Sequence, residues 1–207
     1  MIPSKEEIKI SAAILAGGAN KRFNGKTKAN IQISGVRIIT RAIKTLYDIF
    51  NDIVIVTNTP EEFKTCQQFT IVPDKIKNVG PLGGIHAALN AAKHEAVFVF
   101  ASDMPCLSGD LIKEHIEFYL KHRCDAAIPA IKKTIEPLHA IYNKRIEDQL
   151  FDFLGTADKY SVETFLSQIN TKYHKLADTD QNRKAFININ TPEELSNIEL
   201  LTESGYR

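Results

Sequence analysis

Residues 10–18 read Ile-Ser-Ala-Ala-Ile-Leu-Ala-Gly-Gly, an apolar run of strand length that ends in two glycines. A second such run, Ala-Val-Phe-Val-Phe-Ala, occupies residues 96–101. Strands that are apolar on both sides are typical of a sheet whose two faces are both covered by helices. The two runs therefore predict an α/β fold with three layers around a mostly parallel sheet.

Apolar runs of strand length alternate with longer amphipathic stretches, and no linker or long-period repeat interrupts them, so we expect one domain over residues 1–207. The predicted strands are Ile10–Ala16, Ile53–Thr57, Thr70–Val72, Ala96–Ala101, Asp125–Pro129, Leu138–Tyr142 and Ala185–Ile189. The predicted helices lie near Ile38–Phe50, Pro60–Gln68, Gly84–His94, Asp110–His122, Arg145–Leu154, Ser161–Ile169 and Pro192–Leu201.

Composition excludes several classes of protein. The formal charge is only +1, from 26 basic and 25 acidic residues, which argues against nucleic-acid binding through a basic field. The longest apolar run, residues 96–101, is far too short to span a bilayer. The three cysteines are far apart and form no Cys-x-x-Cys pair, so neither a disulfide framework nor a zinc site is indicated. We expect a cytoplasmic protein with no nucleic-acid or membrane partner.

The pentapeptide Asn-Thr-Pro-Glu-Glu occurs twice, at residues 58–62 and 190–194. A duplicated domain is one interpretation, but the flanking sequences do not match. Each copy follows a predicted strand and begins a predicted helix, so its threonine can cap, its proline fits the first helical position and its last glutamate completes a capping box. The asparagines then lie at strand ends, on the edge where open α/β sheets bind ligands.

The segment after the first strand combines groups that bind anions. The pair Gly17-Gly18 lets backbone N–H groups approach an anion, and Arg22 and three lysines follow within eleven residues. The alternative is a solvated turn with incidental charges. Gly25-Lys26-Thr27 does not end a Walker A loop, because Asn20 stands where the opening glycine is required, and no Gly-x-Gly-x-x-Gly fingerprint is present.

Two later segments could belong to the same site. Residues 80–84, Gly-Pro-Leu-Gly-Gly, precede a predicted helix, and a helix N-terminus behind glycines can receive a base or a phosphate, although a simple turn is also possible. Asp103 directly follows a predicted buried strand, where a carboxylate is well placed to hold Mg²⁺ beside a phosphate. As a helix cap, Asp103 is less suitable than Ser108 or Asp110.

In their order and spacing these motifs resemble the molybdenum cofactor guanylyltransferases, which are nucleotidyltransferases of the sugar-nucleotide pyrophosphorylase type. The resemblance runs from Ala13 to about Leu195. The motifs are Leu-Ala-Gly-Gly (15–18), an arginine (22), a glycine (25), a lysine (28), Gly-Pro-Leu-x-Gly (80–84), Asp-x-Pro (103–105), Pro-Leu-x-Ala-x-Tyr (137–142) and Asn-x-Asn-Thr-Pro-Glu (188–193). Two features depart from the family pattern: Arg22-Phe23-Asn24-Gly25 stands where the family usually has Arg-Met-Gly, and Thr27 replaces the aspartate before the lysine.

The resemblance implies a Rossmann-like sheet of the nucleotide-diphospho-sugar transferase type. The implied nucleotide-binding residues are Leu15, Ala16, Gly17, Gly18, Lys28, Asn58, Asp74, Gly80, Pro81, Leu82 and Asp103. A shift of one or two positions would replace Asn58 by Val56 or Thr57. Arg22, Lys28 and Asp103 are the implied catalytic residues, with Asp103 as the Mg²⁺ ligand. Asn188 and Asn190, on a late strand away from the glycine loop, would receive the pterin.

The implied reaction joins GTP and molybdopterin into the guanine dinucleotide cofactor and releases pyrophosphate. The terminal phosphate of molybdopterin is ionised at neutral pH and needs no general base. Residues from about 10 to 107 would bind the nucleotide and those from about 108 to 200 the pterin. Transient contacts with proteins that insert or deliver the molybdenum cofactor, or with acceptor apo-enzymes, are also implied.

Two alternatives stay open. A cytidylyltransferase acting on the same pterin is disfavoured by Gly17 and residues 80–84. A nucleotide-binding module without catalysis is disfavoured by the joint presence of Arg22, Lys28 and Asp103.

Overall fold

The computed structural model describes residues 5, 7–17, 27–156 and 160–203, with the backbone alone at 192 and 199–203. Within them the strands are β1 (Ile10–Leu15), β2 (Gln32–Ile33), β3 (Val36–Arg37), β4 (Ile53–Val56), β5 (Thr70–Val72), β6 (Ala96–Ala101), β7 (Ala126–Ile131), β8 (Thr134–Ile135), β9 (His139–Asn143) and β10 (Thr171–Leu176). The α-helices are α1 (Ile38–Tyr47), α2 (Pro81–Ala91), α3 (Gly109–His122), α4 (Glu147–Thr156), α5 (Val162–Leu166), α6 (Asp180–Ala185) and α7 (Pro192–Glu203). Three 3₁₀ segments cover Lys28–Asn30, Pro60–Cys66 and Lys144–Ile146.

Eight strands form one mixed sheet in the order β10-β7-β9-β6-β1-β4-β5, with β8 paired to β7. The neighbours β6, β1, β4 and β5 are parallel, and so are β7 and β10. Only β9, which is antiparallel to β6 and β7, and the short β8 run against this direction within the described sheet. The mostly parallel α/β sheet predicted from the sequence is confirmed.

The apolar strands are buried on both faces. In β6, Phe98 and Phe100 pack into a core that includes residues of α1 and α3, whereas Val97 and Val99 pack into a second core with residues of α2, α4 and α5. Phe98 also stacks on Phe50 with ring centroids 5.7 Å apart. Because successive side chains of a strand point to opposite faces, an uninterrupted apolar run is what a three-layer fold requires.

The two copies of Asn-Thr-Pro-Glu-Glu fold differently. In the second copy, Thr191 Oγ1 accepts a hydrogen bond from the Glu194 N–H at 3.2 Å, and the Glu194 carboxylate accepts one from the Thr191 N–H at 3.0 Å, so the predicted capping box is present. In the first copy the Thr59 side chain makes no cap hydrogen bond, and residues 60–66 form a kinked 3₁₀ segment in place of the predicted α-helix. The Ser108 hydroxyl caps α3 by accepting from the Leu111 N–H at 3.3 Å, as the sequence indicated.

The predicted strand at 185–189 is wrong. Residues up to Ala185 belong to α6, which begins behind a Thr179 cap, and residues 187–190 are irregular, so Asn188 and Asn190 lie on a loop. The outermost strand is instead β10, which pairs in parallel with β7. Its sequence, Thr-Lys-Tyr-His-Lys-Leu, exposes three of six side chains to solvent, and this polar edge carries no apolar run that the sequence pattern could reveal.

Among the described residues, none of the helices has both the length and the apolar character needed to cross a membrane.

Candidate active site

The carboxyl ends of β1, β4 and β6, with the loop after β5, meet around a cleft of about 550 Å³. Crevices at this edge are where open α/β sheets bind ligands. The cleft is lined by Leu15, Gly17, Thr27, Lys28, Val56, Asn58, Asp74, Ile76, Asn78, Gly80, Pro81, Gly84, Ala101, Ser102, Asp103 and Leu138.

One end of the cleft holds a mutually oriented amide and carboxylate. Asn58 Nδ2 donates to Asp74 Oδ2 at 2.9 Å, and the Asp74 N–H donates back to Asn58 Oδ1 at 3.2 Å. A Cβ added at Gly17 would lie 3.7 Å from Asp74 Oδ2, and a Cβ added at Gly84 would lie 3.7 Å from Asp74 Oδ1. Both oxygens therefore border glycines, which leaves room for a ligand that donates hydrogen bonds to them.

The start of α2 is packed tightly against the strand ends. Gly80 has a φ of 65°, in the left-handed region, and Pro81 follows in the first turn of the helix. A Cβ at Gly83 would lie 2.7 Å from the Ile76 carbonyl oxygen, and one at Gly84 would lie 3.2 Å from the Leu15 side chain. The glycines of this segment thus let a helix approach the cleft more closely than larger residues would.

The other end of the cleft is a charged cluster drawn from three distant parts of the chain. Lys28 Nζ donates to Asp103 Oδ2 at 2.9 Å and to Asn190 Oδ1 at 2.5 Å. The two charged side chains are only 21 % and 24 % exposed, so their ion pair is partly shielded from water. Lys28 begins the 3₁₀ segment Lys28–Asn30, and Asp103 lies just beyond β6.

Most of the residues singled out in the sequence meet here. Those that line the cleft are Leu15, Gly17, Lys28, Asn58, Asp74, Gly80, Pro81 and Asp103. Ala16 and Leu82 are buried beneath the cleft and do not line it, because Ala16 continues the sheet by donating its N–H to the Val56 carbonyl and Leu82 packs in the core. Gly18 and Arg22 lie outside the described residues.

The asparagines of the late segment are placed differently from expectation. They are on a loop, and Asn190 is bonded to Lys28 and thus is not remote from the nucleotide-side residues. The Asn188 side-chain oxygen is buried and accepts no hydrogen bond from the described residues. The neighbouring Ile189 N–H donates to the Asp103 carbonyl at 2.9 Å, which ties this loop to the end of β6.

Sequence reasoning missed several cleft residues. Val56 is indicated only as an alternative to Asn58, yet both line the cleft, whereas Thr57 between them does not. Ile76 and Asn78 also line it and are not indicated by the sequence, and Leu138 lines it although the sequence indicates it only as part of the motif at 137–142. Asn78 has a φ of 66°, a conformation that asparagine tolerates better than most residues, but nothing in its sequence context distinguishes it from an ordinary turn.

Residues 12–171 match the family model described as "MobA-like NTP transferase domain". The chain belongs to the MobA-like NTP transferases. It is 38% identical over 204 residues to a probable molybdenum cofactor guanylyltransferase of Peptoclostridium acidaminophilum, with 93% of this chain and 90% of that protein covered.

Solved structures agree with this membership. Molybdopterin-guanine dinucleotide biosynthesis protein A from Archaeoglobus fulgidus superimposes with a TM-score of 0.81 at 26% identity, covering 95% of this chain and all of that one. A CMP:2-keto-3-deoxy-manno-octonic acid synthetase, at 12% identity, gives a TM-score of 0.73 over 95% of this chain and 99% of its own, and shares the fold alone. This MobA-like chain is therefore a nucleotidyltransferase with the nucleotide-diphospho-sugar transferase fold.

Proposed function

We propose that this protein transfers GMP from GTP to molybdopterin, forming the guanine dinucleotide cofactor and pyrophosphate. The observation that carries the proposal is that one cleft is lined by two pairs on opposite sides of β1, Lys28–Asp103 beyond β6 and Asn58–Asp74 beyond β4 and β5. One end offers hydrogen-bond acceptors to a base, and the other offers a cation to phosphates. The relatives and the solved neighbour bear names of this same activity.

The choice of base follows from the Asp74 carboxylate. Guanine presents adjacent N–H donors on its Watson–Crick edge, and a carboxylate is an acceptor that can pair with both. Cytosine and adenine place a ring-nitrogen acceptor there, which would face the carboxylate with lone pair against lone pair. Asn58 holds Asp74 through two hydrogen bonds, so the carboxylate is oriented before the nucleotide binds.

The phosphate end works by charge and position. The Lys28 amine can move from Asp103 to a phosphate oxygen, where it would offset the charge of the departing pyrophosphate together with Arg22 and the N–H groups of the 17–18 loop. The acceptor's phosphate is already an anionic nucleophile, so no general base is required. This agrees with the described cleft lining, which contains no histidine or cysteine that could act as such a base.

The residues fit Mg²⁺ as the proposed cofactor. Mg²⁺ is commonly held by one or two carboxylates plus substrate phosphates, and Asp103 supplies such a carboxylate at the end of β6. Among the described residues no cluster of three or more His, Cys, Asp or Glu side chains could hold a metal alone, which also favours a site that substrate phosphates complete. When bound, the ion would neutralise charge that develops on the transferred phosphoryl group.

The pterin side is proposed to lie toward the 188–190 loop. Asn188 has a buried acceptor that no described residue bonds, and the segment is held to Asp103 beside the phosphate end. In this proposal residues from about 10 to 107 bind GTP and those from about 108 to 200 receive the pterin within one domain. An enzyme that consumes GTP and passes on a labile cofactor would work in the cytoplasm, in transient contact with delivery proteins or acceptor apo-enzymes.

The test is a transfer assay with purified protein, Mg²⁺, molybdopterin and labelled GTP, repeated with CTP and ATP. We expect the guanine dinucleotide and pyrophosphate in equal amounts, and GTP affinity at least several-fold above that for CTP or ATP by calorimetry. Equal or better binding and transfer with CTP would replace this function by the cytidylyltransferase. Nucleotide binding without any transfer would indicate a binding module.

A further inference from the structure

The first Asn-Thr-Pro-Glu-Glu copy, which does not cap a helix, contacts the turn that carries Lys28. Glu62 Oε2 accepts a hydrogen bond from the Thr27 N–H and another from Asn30 Nδ2, each at 3.1 Å. These two donors stand on either side of Lys28 in the chain. One carboxylate oxygen thus closes both ends of the 3₁₀ segment Lys28–Asn30 across 35 and 32 positions of sequence.

Neighbouring contacts add to this attachment. Thr27 Oγ1 lies 3.2 Å from Thr59 Oγ1, so the same copy contacts the turn a second time. Partial burial works to raise the pKa of the Glu62 carboxyl, but the hydrogen bonds from Thr27, its backbone first, and from Asn30 hold that pKa below its ordinary value. The carboxylate is therefore ionised at neutral pH, and charged acceptors make the stronger hydrogen bonds.

The second copy reaches the same lysine at its other end. Asn190, the first residue of that copy, accepts a hydrogen bond from Lys28 Nζ, while Glu194 caps α7 and holds the Asn190 N–H. The first copy therefore fixes the backbone around Lys28, and the second contacts its amine. Between these contacts Ala29 is fully buried in the core, which is a further attachment of the turn to the fold.

We propose that Glu62 is a positioning residue, which acts through Thr27 and Asn30 to hold Lys28 where the transferred phosphates bind. This inference rests on the proposed function, since Lys28 is placed on phosphate there. Glu62 does not line the cleft, so its effect on the reaction would pass through the position of the lysine. A misplacement of about 1 Å can lower a rate on the order of 100-fold.

The test compares Glu62→Ala and Glu62→Gln with Glu61→Ala. Glu61 is the exposed neighbour in the same turn, so its removal controls for the loss of one negative charge. We expect Glu62→Ala to lower kcat/KM for GTP by about 10-fold or more when it is assayed at a temperature well below its melting temperature. The amide oxygen of Glu62→Gln can accept both hydrogen bonds, so the kcat/KM of this variant should stay within about 3-fold of the wild-type value. The kcat/KM of Glu61→Ala should stay within the same range.

A double-mutant cycle with Lys28→Ala separates positioning from general stability. If Glu62 acts through Lys28, adding Glu62→Ala to Lys28→Ala costs no further activity or GTP affinity. An undiminished loss in that background, or normal kinetics in folded Glu62→Ala, would overturn the inference. Amide exchange at Thr27, which needs no substrate, should accelerate in Glu62→Ala, and unchanged exchange would also count against it.

Failure of the proposed function has a different signature. Wild-type protein that binds GTP but transfers nothing to molybdopterin would contradict the transfer reaction, while the cycle read out as GTP affinity would still decide the role of Glu62. Wild-type protein that binds no GTP would overturn both.

Discussion

Replacing Asp103 by asparagine removes one charge from the cleft while keeping the shape of the side chain. In the wild type, Lys28 Nζ lies 2.9 Å from Asp103 Oδ2. The asparagine oxygen can still accept that hydrogen bond, and the main-chain carbonyl can still accept from the Ile189 N–H at 2.9 Å. The substitution therefore tests charge at this position with little loss of packing.

The effect on stability should be small. The two side chains are 21 % and 24 % exposed, so water screens part of their attraction. Ion pairs of this kind contribute on the order of 1 kcal/mol or less, and part of that is retained by the neutral hydrogen bond. For a chain of this size the melting temperature should fall by no more than about 2–4 °C.

The effect on turnover should be large. Removing one preorganised electrostatic group from an active site typically lowers kcat by about 100- to 1000-fold. Loss of the carboxylate would weaken Mg²⁺ binding beside the phosphates, so we expect GMP transfer by Asp103→Asn to fall by at least about 100-fold.

The assay measures GMP transfer and thermal unfolding on the same preparation. Asp110→Asn is the matched control, since this exposed acid in the first turn of α3 undergoes the same chemical change outside the cleft. Near-normal turnover of Asp103→Asn with a lowered melting temperature would mean that Asp103 is structural and that the metal is held elsewhere.

Three further predictions concern packing, pH and the late loop. Gly83→Ala would bring a Cβ to 2.7 Å from the Ile76 carbonyl oxygen and should lower the unfolding free energy, measured by urea denaturation, by about 1–3 kcal/mol. Gly155→Ala is the control: there is open space around its Cβ, and it should stabilise helix α4 slightly. Burial lowers the pKa of His139 from 6.5 to about 3, so between those pH values the unfolded chain binds a proton that the folded chain does not. This residue should therefore lower the unfolding free energy by up to about 1.4 kcal/mol for each unit by which the pH falls. In His139→Leu the unfolding free energy should vary less steeply between pH 7 and pH 5. Asn190→Ala removes an acceptor from the Lys28 amine and should lower GTP affinity as well as transfer; calorimetry that finds GTP affinity unchanged would assign Asn190 to the pterin alone.

The sheet and half of the cleft are predictable because local pattern decides them. β1 and β6 are apolar on both faces, which fixes them as central strands, and the residues that directly follow them must then lie at the carboxyl edge. Asp103 and Gly17 were found in this way. β10 could not be predicted in this way, because an edge strand with three exposed side chains carries no such apolar pattern.

Contacts between distant segments were not predictable from local pattern. Lys28 and Asn190 are 162 positions apart, and nothing in either segment indicates that they meet. The repeated pentapeptide is a second example. The same five residues form a capping box at Glu194, whereas Glu62 of the other copy accepts hydrogen bonds from Thr27 and Asn30. The local sequence allows both outcomes, and the two copies differ in their tertiary contacts, since only Glu62 of the first copy is bonded to Thr27 and Asn30.

The charges of the described cleft lining bear on the role proposed for the segment that follows Gly17. The described lining holds one lysine, Lys28, against two aspartates, Asp74 and Asp103, which is a formal charge of −1. A polyanionic triphosphate would not be drawn to such a surface, since like charges repel and the partly buried site screens them poorly. In the proposed function the missing positive charge would come from Lys21, Arg22 and Lys26 of the segment 18–26 and from a divalent ion at Asp103. In the proposed function, base recognition would therefore rest on Asn58 and Asp74 at the strand ends, whereas attraction of the phosphates would depend on residues 18–26 and on the metal ion.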